Sequence, residues 1–159
     1  MATRTKAPKR VVGDIVKIPL GDGWHSYARV LPEASYAFYD SRVNGDDPVE
    51  EIIARPILFF AAVMGYAIKK SRWPIVGHVP SEDQLKAPPR FIQDALNKDR
   101  FEVYEDGKIR PSTRAECAGL ECAAVWDPEH VEDRLRDHFR SLPNMWALSL
   151  RPKDPASSK

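Results

Sequence analysis

Between Gly13 and Asp40, apolar and polar residues alternate with the period of two that marks strands. Val16, Ile18 and Leu20 alternate with Ile15, Lys17 and Pro19. Trp24, Ser26, Ala28 and Val30 then fall opposite Tyr27, Arg29 and Leu31. Tyr36 to Tyr39 is a third run, rich in the aromatic residues that strands favour. Gly21-Asp22-Gly23 supplies the positive-φ positions of a tight turn, and Pro32 to Ser35 supplies a second turn. The pattern predicts a three-stranded antiparallel meander. Its area is too small for independent stability, so later segments must cover its apolar face.

Downstream, Asp40 to Asp47 reads as a turn-rich loop, and Pro48 to Arg55 fits either a helical turn or an edge strand. Pro56 introduces ILFFAAVMGYAI, apolar at successive positions. A strand buried on both faces looks like this, and so does a buried helix, so residues 57–68 stay open between them. The preceding proline, Phe59-Phe60 and Gly65 favour a strand over 57–63. Trp73 to Val79 and Phe91-Ile92 read as strands, and Phe101–Tyr104 with Lys108–Arg110 reads as a hairpin turning at Asp106-Gly107. Ser81–Gln84 and Thr113–Glu116 have capping-box spacing. The first opens a short helix that Pro88-Pro89 stops; the second opens one running through about Ala123. Asp127, Pro128 and Glu129 open another, with Val131, Leu135, His138, Phe139 and Leu142 as its apolar stripe. Met145 to Leu150 reads as a last strand. The expectation is one α+β domain over 11–151: a bent antiparallel sheet or partly closed SH3-like barrel, with two C-terminal helices packed on it. Disordered tails flank it at 1–10, which is basic, and at 152–159.

Composition narrows the function classes. The 159 residues are 43% hydrophobic and 30% charged, ordinary for a soluble globular chain. A formal charge of +1 gives no global field for nucleic acid or anionic lipid. The longest apolar run is too short to span a bilayer, and no signal sequence follows Arg4, Lys6, Lys9 and Arg10. With only Cys117 and Cys122, a reducing cytoplasm is the expected location.

Catalytic and metal signatures fail in turn. Cys117 and Cys122 lack the spacing of a zinc ribbon, and His130 and His138 lie about 12 Å apart along a helix, too far to share an ion. No nucleophile elbow and no phosphate loop appears, so no cofactor and no metal is expected. His25, Tyr27 and Arg29 share one strand face, where they could serve a ribonuclease or form a mixed polar face. Glu129, Glu132, Asp133 and Asp137 alternate with Arg134, Arg136 and Arg140, as on a solvated helix face. A binding surface is the alternative. Asp40, Asp46, Asp47, Glu50 and Glu51 crowd one short stretch beside Tyr36, Phe38 and Tyr39, opposed only by Arg42. Acidic groups around aromatic anchors can steer and hold a basic protein. Tyr39, Asp46, Asp47, Glu50 and Glu51 are therefore the candidate partner-binding residues.

The ordered pieces GDIVKIPLGDGWHSYARVL, AFYD, EEIIARPILFFAAVM, RWPIVGHVP and AAVWDPEHVEDRLRDHF resemble the immunity protein 26 family of bacterial polymorphic toxin systems. The resemblance runs from about Gly13 to Phe139. It implies a cytoplasmic antidote that binds and blocks a toxin domain encoded beside it, with no catalytic residues. Antidotes to nucleases are often strongly acidic, whereas this chain is balanced. GDIVKIPL is also similar to the first strand of PemK-type ribonuclease toxins, which would make the chain a small-barrel ribonuclease or RNA-binding module acting through His25 and Arg29. A third reading is a ligand pocket lined by Trp24, Tyr66 and Trp73.

Overall fold

The computed structural model describes residues 7–79 and 85–155. The predicted meander forms from β1 (Asp14–Gly21), β2 (Trp24–Val30) and β3 (Ser35–Tyr39). Gly21, Asp22 and Gly23 all take positive φ at the first turn, and Glu33 and Ala34 do so at the second. A short helix α1 (Val49–Ile53) follows, then β4 (Ile57–Val63), α2 (Tyr66–Lys69) and β5 (Ile75–His78). The ambiguous run is thus a strand to Val63 and a helical turn after it. The strand order β5-β1-β2-β3-β4 gains a sixth member, β10 (Val125–Trp126), which pairs in parallel with β4. The order has two ends, so the sheet is open.

A second sheet is built from β6 (Arg90–Gln93), β7 (Phe101–Glu105), β8 (Lys108–Ser112) and β9 (Glu121–Cys122), in the order β8-β7-β6-β9. Helix α3 (Arg114–Cys117) precedes β9, and α4 (Pro128–Phe139) and α5 (Met145–Ser149) close the chain. The architecture is α+β. Two short parallel pairs, β4–β10 and β6–β9, make both sheets mixed rather than purely antiparallel.

Burial on both faces organises the first sheet. Val16, Ile18, Ala28, Val30, Tyr36 and Phe38 point to one side, where Phe59, Trp73 and Trp126 join Val131 and Leu135 of α4. Phe38 stacks on Phe59 at 4.6 Å, and both Tyr36 and Phe38 meet Trp73 edge-on. Ile15, Tyr27 and Tyr39 point to the other side, under Ile52 of α1 and Val79. Gly77 makes this second layer possible: a Cβ there would lie 2.4 Å from the Val49 side chain. The second sheet is covered more thinly, by a small cluster of Phe91, Phe101, Val103 and Cys117.

Several expectations change. Thr113 caps as predicted, accepting from the Glu116 amide, but α3 ends at Cys117 instead of Ala123. Met145–Ser149 is a helix, not a strand, because the Asn144 side chain accepts from the Ala147 amide and opens a turn. The two C-terminal helices are therefore α4 and α5. The α4 stripe narrows to Val131, Leu135 and Phe139, for Leu142 and His138 are exposed. Nor is its charged flank simply solvated. Glu132 is 5% exposed and accepts from Trp73 Nε1 at 2.9 Å and from Arg72 Nε and Nη2 at 2.8 Å each. Arg134 lies 3.6 Å over the Phe59 ring while pairing with Glu121, which ties α4 to the second sheet. Arg10 and Lys153, placed in expected tails, bond to Ser35 and Gln93. The Ser81–Gln84 capping box lies outside the described residues.

Candidate partner-binding surface

The acidic stretch leaves β3 at Asp40 and returns to the sheet at once. His25 and Val43 exchange both backbone hydrogen bonds at 2.9 Å, so the loop adds one bridge beside β2. Beneath it, Tyr27 acts as a hub. Its hydroxyl meets His25 Nε2 at 2.9 Å, donates to the Gly45 carbonyl at 3.4 Å and accepts from the Asp47 amide at 3.2 Å. Desolvation, with the charge of Lys17 second, holds His25 below its ordinary pKa of 6.5.

This scaffold sorts the predicted contact residues. The Asp46 side chain is 94% exposed, with Lys17 Nζ at 3.5 Å. Glu50 and Glu51 are exposed in the first turn of α1, where the helix dipole favours acids. Asp47 is half-buried and pairs with Arg55 at 3.2 Å. Asp46, Glu50 and Glu51 therefore project outward, whereas Asp47 is spent within the fold. Tyr39 is a correction. It is 1% exposed and packs with Ile15 and Ile52, so it is a core residue and not an anchor. Nothing local announced that α1 would cover that side of the strand.

The ribonuclease reading fares similarly. His25 and Arg29 do share a face, but they are 3% and 5% exposed, and His25 is engaged by Tyr27. Both side chains are too buried for a phosphodiester to reach them in this structure. Trp73 is fully buried and does not line a pocket with Trp24 and Tyr66. Among the described residues, no group of three His, Cys, Asp or Glu is placed to hold a metal ion. No described helix is long and apolar enough to cross a membrane.

Beside the loop lies a basic feature that the sequence did not announce. Arg42, Arg136 and Arg140 line a hollow of about 220 Å³ together with Asp22, Trp24 and Phe139. Arg42 stacks 3.9 Å over Trp24, and Arg136 reaches the Leu20 carbonyl and Asp133. Arg42 and Arg136 are far apart in sequence, so no spacing could have joined them. The surface is thus two-signed: outward carboxylates on the loop and α1, and arginines where α4 meets the first hairpin.

A family model described as immunity protein 26 matches residues 11–102, more than half of the chain. The match takes in the meander, the acidic loop and β4. No curated protein and no solved structure matches the chain.

Proposed function

The chain belongs to the immunity protein 26 family, and from that membership we propose that it binds and neutralises a cognate toxin domain. Neutralisation is stoichiometric occlusion in the cytoplasm of the producing bacterium, without turnover. The observation that carries this reading is the acidic loop inside the matched segment, presented as a fixed shape by Tyr27 and the His25–Val43 bridge. Asp46, Glu50 and Glu51 are the outward carboxylates offered to a basic partner surface, and they would set encounter rate and register more than affinity. Asp47 supports the loop from behind through Arg55. Tyr39 contributes indirectly, by filling the layer beneath.

Co-expression with the toxin domain encoded immediately beside this chain is the test. Restored growth and a co-purifying 1:1 complex are expected. Unrelieved lethality with no complex would reject the proposal, and an RNA-cleavage assay on the isolated chain should show no activity.

A further inference from the structure

Where the β2–β3 turn faces the β7–β8 hairpin, the two sheets leave a cleft of about 510 Å³ lined by Ser35, Lys86, Arg90, Tyr104 and Lys108. That volume lies in the small-ligand range of about 300–1,000 Å³. Arg90 is 6% exposed at its wall. Its Nη2 donates to Ser35 Oγ at 2.8 Å, and its guanidinium carbon lies 5.6 Å from the Tyr104 ring centroid. Among the described residues its buried Nε finds no acceptor. Among the described residues no carboxylate lies within 4.0 Å of the guanidinium. Arg10 approaches the same serine, donating to the Ser35 carbonyl at 2.6 Å, and its buried Nε also lacks an acceptor.

A guanidinium does not shed its charge in a protein, and buried charges are as a rule paired. The nearby acids do not answer this demand. Glu33, Glu105 and Asp106 line the cleft but are exposed. Glu33 accepts from the Tyr104 hydroxyl at 2.6 Å and stands over the hairpin turn, where a Cβ on Gly107 would come within 3.2 Å of its Oε1. We infer that the cleft receives a compact oxyanion, a carboxylate or phosphate group, which supplies the counter-charge that no carboxylate among the described residues gives Arg90. Lys86 and Lys108 flank it at the exposed rim, interleaved there with Glu33, Glu105 and Asp106.

NMR titration of the isotope-labelled full chain tests this at constant ionic strength. Sodium phosphate, sodium acetate and a capped glutamyl tripeptide serve as separate probes against a chloride control. One arginine Nε–Hε resonance should shift saturably. Arg90→Lys should abolish the shift, since lysine keeps the charge but lacks the planar fork. Saturation by acetate and the peptide assigns a carboxylate carried by a protein chain; saturation by phosphate alone assigns a phosphate. Lys108→Glu, on an exposed hairpin position, should weaken the saturating probe by about tenfold or more. Absence of any saturable shift overturns the inference, as does a shift that Arg90→Lys leaves intact. Should Arg90→Lys not fold, unchanged affinity in Lys108→Glu overturns it instead.

Discussion

The two sheets solve the same burial problem differently. In the first, six consecutive residues of β2, His25 to Val30, are buried, because α4 covers one side and α1 with its loop covers the other. In the second, β8 is largely exposed and a small cluster on one side suffices. A sheet covered twice can hold polar groups such as His25 and Arg29 in its interior and fix a loop from beneath. A sheet covered once leaves its other surface open. Its polar ties are Arg90–Ser35 and Tyr104–Glu33 to the first sheet, and Arg134–Glu121 to α4.

The difference can be broken most sharply at Trp73. Trp73→Ala empties the main core and should cost about 3–5 kcal/mol, read as a lowered denaturation midpoint with all probes moving together. Glu132→Gln, which weakens the clamp from α4 to Arg72 and Trp73, should cost about 1.5–3 kcal/mol by the same measurement, towards the lower figure because Arg72 is partly solvated. Asn144→Ala removes the cap of α5 and should cost about 1 kcal/mol, with hydrogen exchange rising in α5 before α4. Protonation probes the doubly covered layer. His25 has a lowered pKa when folded, so the unfolded chain binds its proton more readily. Stability should fall as pH drops below 6.5 and level off beneath the folded pKa, and His25→Gln should flatten that part of the curve. Smallest of all, Asp46→Asn with Glu51→Gln should change stability by no more than about 0.5 kcal/mol. If the proposed function holds, their effect falls on the association rate with the toxin domain, which should lose salt dependence; an unchanged salt slope would move the interface elsewhere.

Local chemistry made much of this legible. The meander, the Asp106-Gly107 hairpin and the start of α4 follow from alternation, positive-φ turns and Pro128, all decided within a few residues. Asn144 also carried its signal, three residues before the amide it caps, and reading Met145–Leu150 by its apolar residues alone overlooked it. What stayed hidden needs the fold. Tyr39 is a core residue because α1 folds across β3, and Gly77 permits the approach of Val49 from outside that strand pair. Glu132 looks like any surface acid until Arg72 and Trp73 arrive from 60 and 59 residues away. Arg90 gave no warning because its meaning lies in a partner absent among the described residues. The outward acids Asp46, Glu50 and Glu51 were legible in the sequence, whereas the burial of Tyr39 was not.

The reciprocal bridge between His25 and Val43 has a thermodynamic consequence for recognition. A segment already pinned to a sheet surrenders little conformational entropy when another molecule lands on it, so its contacts need not offset an ordering cost. Association should approach rigid-body docking, with speed set by diffusion and orientation rather than by waiting for the loop to find its shape.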